Sequence, residues 1–206
     1  MRNYNTLAKK QLVIKTAQAL EAKGYKVFMV DKRKNALDTI KDIIPSGASV
    51  MNGSSVTLQS IGFLDYLKSN RHNWVNLHAK ITAENNPAKR LNLRKRGAFS
   101  DYYLGSAHAL LENGEFIIAS NSGSQLPHIV YTSSNLIFVV STKKIVSDLA
   151  VGFQRLEEYV IPLENKRMHD LYGMGTKSNK ILIFKGEKQK SGRKITFILV
   201  NENLGF

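Results

Sequence analysis

The sequence predicts an open α/β fold: a mainly parallel, twisted sheet with helices on both faces. Three observations predict it. Helix-period and strand-period segments alternate through the first part of the chain, which implies crossover connections and parallel strands. The stretch 114–146 repeats that grammar, with apolar runs at 116–119 and 136–140 separated by a polar turn and a short helix-like segment. Three loops are rich in Gly, Ser and Asn, and two of them directly follow β-type runs, where open α/β sheets carry their ligand loops.

Taken in order, residues 7–23 carry Leu12, Ala17 and Leu20 at near-helical spacing, and Gly24 is the stop. Residues 25–30 read as a strand. Asp31 is positioned to cap a second helix with Ala36, Ile40, Ile43 and Ile44 near one face, ended by Pro45. A short strand, 48–51, runs into the polar loop Asn52, Gly53, Ser54, Ser55. A helix pattern then starts at Thr57 with Leu58, Ile61, Leu64 and Leu67. Residues 71–83 give no clear period. Asn86-Pro87 pairs an N-cap with a proline in the first turn, opening a basic helix that stops at Gly97. A strand is expected at 101–104, and Asn113-Gly114 marks a tight turn. After the central stretch, Asp148 caps a helix through Tyr159 that Pro162 closes. Two last strands, 181–184 and 195–200, are joined by a basic loop.

Composition sets the outer limits. The 206 residues suit one α/β domain spanning 1–206, and 43% hydrophobic content argues against disorder. No run approaches the ~18–20 apolar residues of a membrane span. Lysines stand where a signal peptide would place its apolar core, and there is no cysteine, so a cytoplasmic protein is expected. The missing cysteines also exclude disulfides, thiol chemistry and cysteine-bound iron–sulfur clusters within this chain. Thirty Lys and Arg against sixteen Asp and Glu give a net charge of +14, a field that attracts anions. The dense basic cluster is Lys89, Arg90, Arg94, Lys95 and Arg96. A solvated helix face is its expected role, with nucleic-acid binding as the lesser rival.

The candidate ligand loops are Gly53, Ser54, Ser55; then Asn121, Ser122, Gly123, Ser124; then Gly175, Thr176, Ser178, Asn179. Such residues offer backbone amides and hydroxyls to phosphate or carboxylate, although any one of them alone is ordinary turn chemistry. Neither GxGxxG nor GxxxxGK(S/T) occurs, so no nucleotide cofactor is expected. Glu112 is the candidate base or nucleophile, and His108 would share its face if that segment were helical. The histidines form no HxxxH or HExxH pattern, so no metal is expected.

Several segments carry a family resemblance. GEFIIASNSGSQLPHIVY, STKKIVSDLAVGFQRLEEYVIPLE, YGMGTKSNKILIF and ILVNENLGF resemble the lactate-utilisation (LUD) domain family, and SVMNGSSVTLQSIG is similar to that family's earlier loop. The resemblance covers the chain from about Leu7 onward and is to the cysteine-free members. It implies the fold of ribose-5-phosphate isomerase, glucosamine-6-phosphate deaminase and the CoA-transferases. It also implies an accessory or ligand-binding part in oxidation of lactate or a related small acid, beside partner proteins that carry iron–sulfur clusters. The ligand expected is a small anion: an organic acid, a phosphosugar or a CoA ester. The alternative is an enzyme on a phosphosugar or acyl-CoA with Glu112 as base or nucleophile. At the last loop the family's threonine-rich segment is replaced by Gly175-Thr176-Lys177-Ser178-Asn179.

Overall fold

The computed structural model of the chain describes residues 3–69, 71–188 and 190–206. Helix α1 (Lys10–Ala22) buries Val13, Thr16, Ala17 and Leu20 along one stripe. Gly24 then takes φ +82, a left-handed turn in which a Cβ would be strained, and the helix stops. Strand β1 (Lys26–Val30), helix α2 (Arg33–Ile43) and strand β2 (Ser49–Asn52) alternate as the periodicity predicts. Asp31 does not cap α2; Lys32 holds the cap position with no side-chain bond. The helix expected from Thr57 is two short helices, α3 (Val56–Ser60) and α4 (Phe63–Lys68), because Gly62 between them takes φ +76.

The aperiodic stretch that follows forms β3 (Val75–Asn76) and α5 (Leu77–Ala83). Helix α6 (Pro87–Gly97) starts as expected: the Asn86 side chain accepts from the amides of Ala88 and Lys89, and Pro87 lies in the first turn. Strands β4 (Tyr102–Gly105), β5 (Ala109–Leu111) and β6 (Phe116–Ser120) come next. A π-helical turn (His128–Thr132) leads into β7 (Asn135–Ser141), followed by a 3₁₀ turn (Thr142–Lys144) and β8 (Ile145–Val146). Helix α7 (Leu149–Arg155) is capped by Asp148, whose carboxylate accepts from the Val151 amide. Pro162 does not end the helical run. A π-helical turn (Leu156–Val160) passes into α8 (Ile161–Tyr172) with the proline in its first turn, where a missing N–H is tolerated. Strands β9 (Lys180–Phe184) and β10 (Lys194–Val200) complete the chain's regular structure.

The central sheet has six strands in the order β1-β10-β7-β4-β2-β3, and every neighbouring pair is parallel. Its middle strands are apolar on both faces with a period of two. Leu136, Phe138 and Val140 of β7, with Phe197 and Leu199 of β10, pack toward α1. Ile137, Val139, Ile198 and Val200 pack toward Ala36 and Ile40 of α2, Leu58 of α3 and Phe63 of α4. Full burial of side chains this large stabilises by about 1.5–3 kcal/mol each.

A second sheet of four strands, β8-β5-β6-β9, lies on the α1 side. The Asn113-Gly114 turn explains it. A tight hairpin makes β5 and β6 antiparallel, and an antiparallel hairpin has no place inside an all-parallel sheet. Thus β6 and β7, read from sequence as consecutive strands, belong to different sheets, as do β9 and β10. Phe116 joins the sheets: its ring meets Phe138 at 4.9 Å, Phe184 at 4.8 Å and Phe197 at 5.4 Å. The other face of the second sheet, with Ala109, Leu111 and Ile117, packs against Leu156 and Val160 behind it. No helix among the described residues is long and apolar enough to cross a membrane.

Candidate functional site

Three parallel strands deliver residues to one place. Gly53 to Thr57 follow β2, Ser106 to His108 follow β4, and Lys144 follows β7. The second sheet adds two loops from one end, because Ser120 of β6 is paired with Lys180 of β9. The loop leaving β6 and the loop entering β9 therefore stand side by side. Together these segments and one face of α8 line a cleft of about 360 Å3.

Gly53, Ser54, Ser55, His108, Asn121, Ser122, Ser124, Thr176 and Ser178, all singled out from sequence, line this cleft. Gly123, Gly175 and Asn179 belong to the same loops and brace them. A Cβ on Gly123, at φ +83, would meet Lys180 Cδ at 2.7 Å, and one on Gly175 would meet Asn165 Oδ1 at 2.5 Å. Asn179 Nδ2 donates to Asn121 Oδ1 at 2.7 Å, tying the last loop to the central one. Gly53 has no room for a side chain either, since a Cβ would stand 2.6 Å from the buried Tyr103 hydroxyl. That hydroxyl donates to Gln125 Oε1, and Gln125 Nε2 donates to Ala119 O.

Glu112 is not in the cleft. Its segment is a strand end and turn, not a helix, and its carboxylate accepts from Lys15 Nζ at 2.8 Å beside a different cavity. His108 therefore has no carboxylate partner in Glu112. Its Nδ1 accepts from the Ala119 amide, and burial, then the charges of Lys144 and Arg155, push its pKa down to about 3. His128 is also structural. It stacks on Tyr103 at 4.6 Å, its Nδ1 lies 3.0 Å from Ser133 Oγ, and burial lowers its pKa to about 4.

The expectation of free loop amides needs correcting. The Gly123 amide donates to Ser120 Oγ at 3.0 Å, and the Ser124 amide to Ser122 Oγ at 3.3 Å. The helix-like segment after them is a five-residue π turn, too short for a useful macrodipole. Three of its carbonyls, those of His128, Ile129 and Val130, and that of Ser133 just after it accept from Arg193.

Besides Lys177, the cleft holds a second, buried amine that no sequence motif singles out. Lys144 is 4% exposed and lines the cleft. Its Nζ donates to Thr57 Oγ1 at 3.0 Å, Ser106 Oγ at 3.2 Å and Ala107 O at 3.3 Å, all neutral oxygens. Burial, then Arg155 and Lys143, hold its pKa well below the usual lysine range. The carboxylate among the lining residues, Glu164, is occupied by Arg167, whose guanidinium also donates to Ser54 Oγ. A sequence signal did exist: two lysines follow the apolar run of β7 after only Ser141-Thr142 and precede Ile145-Val146, where a solvated loop would not sit. Among the described residues no group of three or more His, Asp or Glu forms a metal-ligand set.

Parallel-sheet topology with a polar cleft at the carboxyl edge defines an α/β protein of the open-sheet class. Within that class the chain belongs to the LUD domain family, whose model matches residues 13–199. It is also similar in structure to a DUF162 family protein from Deinococcus radiodurans, with a TM-score of 0.56 at 12% identity, covering 95% of this chain and 100% of that one. At that identity the likeness speaks for the fold. No curated protein matches the sequence.

Proposed function

We propose that the protein binds a small organic anion in the carboxyl-edge cleft and serves as a ligand-binding, accessory component in oxidation of lactate or a related small acid. Lys144 carries this reading: a buried amine in a hydroxyl-lined cleft, whose partners among the described residues are all neutral oxygens. A buried charge is stabilised by an opposite one, so a carboxylate is the natural complement. Ser54, Ser106, Ser124 and Thr176 supply neutral donors around it. A cleft of about 360 Å3 suits a small acid better than a CoA ester. The family link supports the lactate assignment. Iron–sulfur centres would belong to partner proteins, since the sequence has no cysteine to hold one. Glu112 has no part in this reading because it lies outside the cleft.

Calorimetric titration of the purified chain with L-lactate, pyruvate, ribose 5-phosphate and acetyl-CoA tests it. A small carboxylate should bind, and Lys144→Met should weaken it about tenfold or more, since a hydrogen bond to a charged group is worth about 1.5–3 kcal/mol. Binding should also take up protons, because burial and its cationic neighbours depress Lys144 and an anion beside it favours its charged form. Carboxylate binding that survives Lys144→Met, or a preference for the phosphosugar or CoA ester, would refute the reading.

A further inference from the structure

A second cavity, of about 200 Å3, is lined by residues none of which line the cleft. Asn3, Tyr4 and Thr6 come to it from the N-terminal segment, Lys143 from the 3₁₀ turn after β7, and Arg155 from the end of α7. Arg155 is completely buried, yet its Nε, Nη1 and Nη2 have no hydrogen-bond partner among the described residues. Tyr4 and Tyr159 place their rings 5.9 and 5.1 Å from the guanidinium carbon. Those faces attract the cation but accept none of its five N–H groups in the way an oxygen does. Lys143 Nζ, beside it, donates to Asn5 Oδ1, Asn203 Oδ1 and Gly205 O, again neutral oxygens.

Two buried cations thus share one cavity. Each feels burial first. Arg155 is pushed down to about 10, and Lys143, also opposed by Arg155, to about 8. Glu112 also lines the cavity, but it is the more exposed group and is held by Lys15 at 2.8 Å. Buried donors of this strength are normally satisfied, and a guanidinium fork matches the two oxygens of a carboxylate or phosphate. A cavity of this size admits an ion of a few heavy atoms and excludes a nucleotide or a CoA ester.

We propose that this cavity is a second, separate binding site for a small oxyanion, gripped by the Arg155 fork with Lys143 beside it. The site shares no lining residue with the cleft around Lys144, and its occupant neutralises the paired charge of Arg155 and Lys143. Carboxylate and phosphate share the chemistry that Arg155 reads.

The test titrates the full chain with acetate, inorganic phosphate and chloride at one fixed ionic strength, following melting temperature and binding heat. Wild type should show a saturable rise with acetate or phosphate that chloride does not reproduce. An acetate-led response identifies a carboxylate, and a phosphate-led one a phosphate; either supports the site. Measured in the Lys144→Met background, where the cleft's own carboxylate binding is weakened, Arg155→Met should abolish the response that remains. Arg155→Lys keeps the charge but loses the fork, and should weaken binding about tenfold or more. Should Arg155→Met fail to fold, the wild-type titration and Arg155→Lys still decide. Lys144→Met should remove no more than the cleft's share of the acetate response, and Glu112→Gln, which takes a carboxylate away from the cavity wall, should not weaken the remainder. Equal effects of chloride, a response that persists when Arg155→Met is added to Lys144→Met, or one that disappears entirely in Lys144→Met would overturn the proposal.

Discussion

Gly123 shows how little slack the central loop has. Its φ of +83 and the 2.7 Å approach of Lys180 Cδ to a Cβ there leave no comfortable place for a side chain. Gly123→Ala should cost about 1–2 kcal/mol, the ordinary penalty of a left-handed L-residue, read as a shift in denaturant midpoint. Ser122→Ala and Ser124→Ala are milder. If the loop contacts the ligand, affinity should fall about tenfold or more for at least one of them with the melting temperature nearly unchanged. Unchanged affinity in both would make the loop an ordinary turn. Two histidines, His128 buried and His108 half-buried, give a pH signature. With folded pKa values of about 3 for His108 and about 4 for His128, both stay neutral where the unfolded chain binds protons. Their contribution is present above the unfolded value near 6.5 and is lost as pH falls toward 4. Unfolding free energy should drop by up to about 1.4 kcal/mol per pH unit per histidine between pH 6 and 5, and His128→Gln should remove part of that slope. A flat profile there would contradict neutral buried rings.

Among the elements, α6 tests the meaning of the basic cluster. The helix is largely exposed, Leu91 being 55% accessible, and Arg94, Lys95 and Arg96 sit in its last turn. Positive charge there complements the helix dipole, so reversing Arg94 and Arg96 to Glu should cost about 0.3–1 kcal/mol per charge and leave the fold intact. If the face binds nucleic acid, wild-type affinity should fall steeply with salt and the double reversal should flatten that slope. Oligonucleotide titrations at two salt concentrations separate the cases, and no measurable binding leaves α6 a solvated face. Local signals were legible at the start of this helix because Asn86 and Pro87 act within one turn, whereas Gly97, the expected stop, lies inside the helix and Ala98 holds the cap. The run α7 to α8 was misread at Pro162 because a π turn, which no short motif announces, moves the proline into a first turn where its missing N–H does no harm.

At the scale of the molecule, a net charge of +14 on 206 residues opposes compaction. Raising monovalent salt from about 0.1 to 0.5 M screens that repulsion and should raise the melting temperature of wild type. A fall with salt would mean that the ion pairs, such as Arg167 with Glu164 and Arg193 with Glu187, outweigh the repulsion.

The sequence by itself determined the parallel α/β class, the alternation from α1 to α3, the caps at Asn86 and Asp148, the hairpin at Asn113-Gly114 and three polar loops. Each follows from side-chain period or backbone stereochemistry within a few residues. Only the tertiary structure decided that a second, mostly antiparallel sheet exists, that β6 and β9 bring the central and last loops together, and that Glu112 is turned away toward Lys15. It alone decided the fate of Lys143, Lys144 and Arg155. Basic residues that no sequence motif singles out become buried when two sheets and α7 close over them. Burial depends on what the remote parts of the chain place around a residue, and no local pattern encodes that.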